Sequence, residues 1–512
     1  MKLLHLSAAL AVCLLSTLSA QEKRISLATL RDKVAGGWAG QMIGVSYGAP
    51  TEFRYRNEII PEDKLPQWQP ERVSNSINQD DLYVDMTFAQ VLDDKGLDAT
   101  TEDFGNMFRN ARYRLWHANL AARRALKRGV PASLSGTPKY NAHANDIDFQ
   151  IEADFIGLMA PGLPQASNDI AWRAGRVMNY GDGIYGGMFV SCMYSAAFFE
   201  KDPRKLVEAG LACLPARSEY AQTIADVLKW HRQHPDDWTK NWNLLEKRWN
   251  TAEPCPEGAL QPFNIDAKLN GAYIALGLLY GEGDFEKTIV ISTRAGQDSD
   301  CNPSSAAGIL GVVYGYDAIP VKWKGGIAAI SNKTFSYTNY TFTSIVDSTV
   351  KRAIALVQKT GGRVEQDSLV VKVQKPAPAK FEAWNDYGKP AARLTARDPG
   401  VKREGEWTET KSGFVAASKG ASIEFTFEGS GFILVGPYLP DGGKADIYVD
   451  GKMAGTIDSN SDEDVSKGGE SLYHALSLNP ARHVVRLTVR GEPVAWASGT
   501  KVGVDGLVVF RK

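Results

Sequence analysis

Two short acidic stretches hold the residues best suited to chemistry: Asn78-Gln79-Asp80-Asp81 and Gln297-Asp298-Ser299-Asp300-Cys301-Asn302. Each sets two carboxylates within three residues at what reads as the start of a helix. If folding brings the stretches together, four carboxylates converge. Like charges about 4 Å apart repel by roughly 4 kcal/mol at an effective dielectric near 20. Such a cluster needs bound cations or raised pKa values. The simpler account is a metal site of hard oxygen ligands.

Each stretch also has a plain structural reading. Asn78 can cap a helix, with Asp81 returning a bond, and first-turn acids complement the helix dipole. Asn302 and Pro303 fit the cap and first position of a second helix. Asp298 and Asp300 precede that cap, however, and an alternating Asp-x-Asp suits ligation more than capping. Two such clusters in one chain favour the metal site. Asp85 follows Asp81 by one turn on the same face, as an added ligand or as a solvated or capping acid. In Asn145–Asp154 the spacing sets Asp148 and Glu152 on one helix face. That pattern fits a solvated helix start, and Asp148 is also the best further candidate for substrate contact.

The elements that must position these residues are mostly helical between Leu27 and about Val357. Apolar spacing predicts helices over Leu27–Gly40, Asp81–Asp94, Phe104–Arg128, Leu206–Leu214, Tyr220–His231, Ala267–Tyr280, Pro303–Val313 and Ile345–Lys359. Small residues recur inside the most apolar of them, which implies close helix packing. After Lys359 the pattern changes. Residues 361–380 read as a linker with a candidate strand at Ser368–Val373. From Phe381 short alternating runs take over: Ser422–Phe427, Gly431–Val435, Ala445–Val449, Val484–Val489 and Val504–Phe510. Asp450-Gly451 marks a hairpin between Ala445–Val449 and Met453–Ile457. The expected fold is a multidomain chain: a large all-α domain over 21–360, then an all-β, jelly-roll-like sandwich over 381–512.

Length, composition and charge set outer limits. The chain has 512 residues, 44% hydrophobic and 23% charged, which fits a globular protein of two or three domains. The formal net charge of -1 gives no electrostatic case for nucleic acid or an anionic membrane. Residues 1–20 run from Met1-Lys2 through an apolar stretch to Leu18-Ser19-Ala20, the form of a secretory signal peptide cleaved after Ala20. That stretch is too short for a membrane span, so a secreted or periplasmic location is expected. Cys192, Cys213, Cys255 and Cys301 would remain, too few for a disulfide scaffold although one bridge is allowed. Gly44-Val45-Ser46-Tyr47-Gly48 and Gly181-Asp182-Gly183-Ile184-Tyr185-Gly186 match a serine elbow and a dinucleotide fingerprint only as strings, since neither follows a strand.

The helical region resembles the ADP-ribosylglycohydrolases, which include the dinitrogenase reductase-activating glycohydrolases and the ADP-ribosyl-acceptor hydrolases. The resemblance rests on Gly44-Val45-Ser46-Tyr47-Gly48-Ala49-Pro50-Thr51-Glu52-Phe53, on Gln79-Asp80-Asp81, and on Gln297-Asp298-Ser299-Asp300-Cys301 followed by Ala306-Ala307-Gly308-Ile309-Leu310-Gly311. It implies a pair of Mg²⁺ ions (one, or Mn²⁺, is also open) held by Gln79, Asp80, Asp81, Asp298, Asp300 and Cys301. It implies catalytic roles for Glu52, Asp80 and Asp298, with Glu52 as acid/base or as a hold on a ribose hydroxyl. It also implies a substrate loop at Gly181, Asp182, Gly183 and Tyr185, beside Asp148. The family's two metal-binding threonines are replaced by Gln79 and Cys301, and a thiol is a poor Mg²⁺ partner. The sandwich resembles galactose-binding-like modules, with Tyr438, Tyr473 and Trp496 as candidate stacking aromatics or with a purely structural role. The expected function is hydrolysis of an N- or O-glycosidic bond in a small-molecule or glycan substrate. The alternatives are ADP-ribosyl hydrolysis and a catalytically degenerate glycan-binding protein.

Overall fold

The computed structural model describes residues 21–250 and 253–512. The expected signal peptide therefore lies outside the described residues. No helix among the described residues is long and apolar enough to cross a membrane.

The Leu27–Gly48 helix begins where the Ser26 hydroxyl accepts the Thr29 amide, and it runs eight residues past the expected end. It is buried on nearly all sides, so no single apolar stripe marked its length. Gly36, Gly40, Gly44 and Gly48 recur every four residues and so line one face. They meet Gly311, Ala307-Gly308, Pro303 and Ser299-Asp300 in reverse order. The Leu27–Gly48 and Cys301–Tyr314 helices therefore pack antiparallel with their backbones almost touching. A Cβ at any of the four would stand 2.1–2.2 Å from a carbonyl oxygen of the opposing segment. This contact delivers the end of the first helix, and Glu52 beyond it, to the start of the second.

The single helix expected over Phe104–Arg128 is two, Thr101–Asn110 and His117–Lys127. Between them Ala111 is extended, and the loop's backbone is held by side chains from outside it. Arg123 donates to the carbonyls of Ala111 and Tyr113 at 3.2 and 2.6 Å. The Leu115 amide donates to Glu463 at 2.8 Å. The helical spacing there was real, but these tertiary bonds compete successfully with the helix.

Glu22–Ser26, Ser368–Lys372 and Arg363–Glu365 form a small antiparallel sheet with Ser368–Lys372 in the middle. The segment read as a linker is thus partly sheet. It is also bonded to the helical domain, with Gln374 N to Gly162 O and Ala379 N to Cys213 O both at 3.0 Å. Cys192 and Cys213 are joined in a disulfide, whereas Cys255 and Cys301 are free and buried.

The C-terminal region is built of antiparallel sheets. One has the order Lys452–Asp458, Gly443–Val449, Ala481–Pro493, Ser422–Gly429, Lys402–Glu404; the other is Lys467–Ala475, Gly431–Tyr438, Gly506–Arg511, Lys389–Thr395. A short third sheet has Phe414–Ala416 in the middle, paired with Val502–Val504 on one side and Thr408–Glu409 on the other. Inward residues such as Phe425, Phe432, Leu434, Ile447 and Leu487 fill the space between the layers. At the hairpin, Asp450 and Gly451 both take positive φ, 52° and 74°, as a two-residue turn of this hand requires.

The two regions meet over buried charge. Arg123 pairs with Glu463, and Lys467 reaches the same carboxylate at 3.2 Å. Arg124 donates to Asn460 O and Asp458 O at 2.7 and 2.9 Å and lies 3.6 Å over the Tyr438 ring. Tyr438 is therefore taken by the interface rather than open for stacking. Tyr473 is half-buried against Phe432, and Trp496 stays 65% exposed.

Candidate metal centre and cavity

Folding brings the two acidic stretches together. Ligand oxygens of Glu52, Asp298 and Asp300 lie within 4.8 Å of one another, and so do ligand atoms of Asp81, Asp300 and Cys301. Asp300 belongs to both groups, so the two candidate clusters adjoin and share it. Asp80 and Asp81 occupy the first turn of the Asp80–Lys95 helix, whose cap residue Gln79 makes no side-chain capping bond. The Cys301–Tyr314 helix starts at Cys301, and its cap residue Asp300 makes no capping bond either. Neither expected cap forms, although Asp80 and Asp81 do sit in a first helical turn, where acids complement the helix dipole. Asn78 instead accepts a bond from Ser336, and Asn302 donates to Asn270.

Several residues that sequence reasoning missed fix this geometry. The hydroxyls of Thr51 and Ser299 are 2.8 Å apart, tying the Glu52 turn to the Asp298–Asp300 loop. Asn270 accepts the Asp298 amide at 3.2 Å and the Asn302 amide group at 2.8 Å. Gln297 stands at φ 56°, and its backbone amide donates to Tyr55 O at 2.8 Å. Thr51, Ser299 and Gln297 lie inside the motifs quoted above, and Asn270 alone lies outside them. Thr51, Ser299 and Asn270 look like ordinary polar residues until their partners from distant segments are known.

The electrostatics are those of packed, buried acids. Burial first, then Asp300 and Asp80, pushes Glu52 up to about 9. Burial and Asp81 push Asp300 up to about 8. Asp81 and Asp298 are raised well above the carboxylate range by burial, with Asp80 and Asp300 respectively adding to it. Asp80 is also raised by burial, against the pull of the amides at its own helix start. The Cys301 thiol is raised by burial and by Asp298, so it stays protonated and faces Asp81 Oδ2 at 3.3 Å. Among the described residues no Lys or Arg forms an ion pair with any of the four aspartates. Asp81 Oδ1 and Asp298 Oδ1 are buried without a hydrogen-bond partner.

Asp85 is neither solvated nor a cap. It is fully buried, and its Oδ2 accepts Gln41 Nε2 at 3.2 Å and the Phe155 amide at 3.1 Å. Burial and Asp154 raise it. It stands behind Asp81 as a structural acceptor.

A cavity of about 440 Å³ opens in front of the centre, bounded by Glu52, Gln79, Asp80, Asp298 and Cys301 on one side and Tyr83, Trp116, His117, Asn119 and Asp148 on the other. Asp148, expected as a possible solvated helix start, is buried: its Oδ1 accepts the Asn119 amide at 2.9 Å while Asn119 Nδ2 donates to Glu152. Burial and Asp146 raise Asp148 to about 7. Burial, then His143, pulls His117 well below the usual histidine value, so its imidazole is neutral.

Gly181, Asp182, Gly183 and Tyr185 do not border this cavity. The Asp182 carboxylate accepts the Tyr220 amide at 3.2 Å and faces a separate cavity beside Arg217 and Glu253. Residues 380–383 pass over the loop, where Tyr185 OH donates to Lys380 O at 2.7 Å and accepts the Glu382 amide at 2.6 Å. The chain between the two regions therefore covers the segment expected to touch substrate.

No curated protein matches this chain. Among solved structures, an ADP-ribosylglycohydrolase-related protein complex is 18% identical, covering 64% of this chain and 98% of that one, with a TM-score of 0.38. A two-domain esterase (CEX) active on acetylated mannans, co-crystallized with mannopentaose, is 16% identical over 36% of this chain and 50% of that one, TM-score 0.22. A carbohydrate-binding module, CBM36, in complex with calcium and xylotriose is 10% identical over 23% of this chain and 99% of that one, TM-score 0.18. Residues 26–360 match the ADP-ribosylglycohydrolase family model, and the chain belongs to that family of hydrolases.

Proposed function

We propose that the chain is a divalent-metal-dependent hydrolase of an N- or O-glycosidic bond in a glycan or other glycoside, exported from the cytoplasm. The observation that carries this reading is the clustering of Glu52, Asp81, Asp298 and Asp300 in two groups that share Asp300, beside a cavity that Glu52, Asp80 and Asp298 line. Four of them are aspartates with no cationic partner, and two of their oxygens are buried and unpaired. An acid-rich set in which every ligand but Cys301 is oxygen fits a hard divalent ion, and ADP-ribosylglycohydrolases are typically divalent-metal dependent. Asp80, Asp81, Asp298 and Asp300 would hold it, with Gln79 offering a carbonyl oxygen. Bound there, Mg²⁺ or Mn²⁺ would orient sugar hydroxyls and lower the pKa of a water.

The chain's own residues supply the rest. Glu52 approaches from a half-buried turn on the cavity side and would pass a proton to the leaving group and take one from water. Asp148 Oδ2 and Asn119 Oδ1 are buried and unpartnered, and both residues border the cavity, so they suit sugar hydroxyls. Tyr83 and Trp116 offer ring faces. Two observations support a neutral glycoside over an ADP-ribosyl group. Arg114 is the lining residue with a permanent positive charge, against several acids, and residues 380–383 cover the Gly181–Gly183 loop. Family membership itself favours ADP-ribosyl hydrolysis as the second reading. Export is supported by the leader-like N-terminus and by the Cys192–Cys213 bridge, which oxidising compartments favour.

The test is a screen of glycosides and ADP-ribosyl substrates with added Mg²⁺ or Mn²⁺, paired with calorimetric metal titration. Turnover should depend on metal and vanish in Asp298→Ala and Asp80→Ala, and Asp300→Asn should lose saturable binding. Metal-independent turnover, or full activity in Asp298→Ala, would sink the proposal. Turnover of ADP-ribosyl substrates alone would select the second reading.

A further inference from the structure

Across the cavity from the acidic centre stands a group of a different kind. His117, His143 and Asp146 each offer a ligand atom, and these lie within 4.8 Å of one another. His143 Nδ1 is 2.9 Å and His117 Nδ1 is 3.8 Å from Asp146 Oδ2. Glu257 Oε2 is 3.4 Å from His117 Nδ1. Ligand atoms around a tetrahedral ion with bonds of 2.0–2.1 Å are spaced about 3.3 Å apart. These three separations bracket that value, and Glu257, which lies near His117 but outside the three-residue group, would have to swing toward the other two ligands.

Two features show that these residues are not an ordinary hydrogen-bonded cluster. His143 is 1% and Asp146 0% exposed, yet His143 Nε2 and Asp146 Oδ1 have no hydrogen-bond partner. A buried carboxylate oxygen left unpaired costs about 1–3 kcal/mol, which a cation held by Asp146 would offset; His143 Nε2 looks instead toward Glu470. His117 also holds φ at 47°, the left-handed region that a residue with a Cβ rarely adopts. That backbone turns its ring inward, edge-on to His143 with centroids 5.6 Å apart.

We propose that His117, His143 and Asp146 form a second cation site, distinct from the acidic centre, for a divalent transition ion of the zinc class, with Glu257 as a fourth ligand. Imidazole nitrogens select zinc-like ions, whereas the carboxylate-dominated set opposite favours Mg²⁺ or Mn²⁺. With His143 binding through Nδ1, its Nε2–H points at Glu470 Oε2, 3.6 Å away on a strand of the sandwich. A carboxylate behind a ligating imidazole fixes its orientation and raises its basicity. The sandwich thus supplies an outer-shell residue to an ion held by the helical domain. His117 borders the cavity, so the ion's open side would face the substrate space.

The test uses the full chain, free of any affinity tag and stripped with chelator, then titrated with Co²⁺ and Zn²⁺ in excess Mg²⁺. One equivalent of Co²⁺ should bind with the intense visible bands of a four- or five-coordinate nitrogen-ligated ion, and Zn²⁺ should displace it. His143→Ala and the partly exposed His117→Gln should each weaken Zn²⁺ binding by about 100-fold or more, and Glu470→Gln by about 10-fold to 100-fold. Asp300→Asn and Cys301→Ser should leave it unchanged, which separates this site from the acidic centre. Absence of the Co²⁺ bands in the wild-type chain overturns the proposal whether or not any variant folds. So does Zn²⁺ affinity that survives His117→Gln, or that is lost in Cys301→Ser.

Discussion

Glu463 belongs to the sandwich, yet it holds a wall of the cavity in the other domain. Its carboxylate pairs with Arg123, accepts the Leu115 amide at 2.8 Å and meets Lys467 Nζ at 3.2 Å. The side chains of Arg123, Glu463 and Lys467 are 3%, 7% and 8% exposed, so water cannot replace the lost partner cheaply. Glu463→Ala would leave two buried cations sharing no anion and would orphan the Leu115 amide. Removing one member of a buried pair costs about 3–5 kcal/mol. Glu463→Gln keeps an acceptor for the amide and loses the charge, a loss of about 1.5–3 kcal/mol. For a domain of this size each kcal/mol moves the melting midpoint by about 2–4 °C, so the alanine variant should melt at least about 6 °C lower. Because Leu115 lies between Arg114 and Trp116, both on the cavity wall, KM should rise with kcat less affected. Thermal unfolding of the two variants, with turnover on a substrate found in the screen, provides the measurement. If both variants melt within about 2 °C of wild type, the interface is not cemented by this carboxylate and the reasoning fails.

Three further outcomes are expected. Burial raises Asp182 from 3.8 to about 7, so the folded chain keeps a proton that the unfolded chain releases. Its contribution is most favourable below about pH 4, and stability falls by about 4 kcal/mol as pH rises toward 7. Asp182→Asn should flatten that part of a denaturation-against-pH curve, and an unchanged slope would contradict the assignment. Gly44→Ala would force a Cβ to within 2.1 Å of Pro303 O, costing about 1–3 kcal/mol or more and weakening Mg²⁺ binding by displacing the start of the Cys301–Tyr314 helix. Gly400→Ala, with open space around it, should be silent in the same titration and melt. The Cys192–Cys213 bridge closes a loop with a sequence separation of 21, so its replacement by two serines should cost about 3 kcal/mol, read from denaturant midpoints with and without reductant.

The sequence by itself determined many of the long helices, the change from helical to strand pattern after Lys359, and the hairpin at Asp450-Gly451, but not the Glu22–Ser26 strand or helices such as Pro164–Gly175 and Asp182–Ala197. Those features depend on spacing and turn chemistry within a few residues, and apolar periodicity reports them directly. It also marked the acidic stretches, because unpaired carboxylates at adjacent positions are conspicuous in any context. Tertiary structure alone decided the rest. Whether Glu52 and Asp300 meet depends on the glycine face that lets two helices touch backbone to backbone, and the periodic pattern does not say which face will find a partner. The break before His117 ran against a sound local helix signal, because Arg123 of the next helix and Glu463 from far along the chain satisfy the loop's backbone. His117, His143 and Asp146 are likewise spread over a helix start and a loop, with Glu470 on a strand more than three hundred residues further along. Their proximity is set by packing between the two regions, a long-range property that no local pattern encodes.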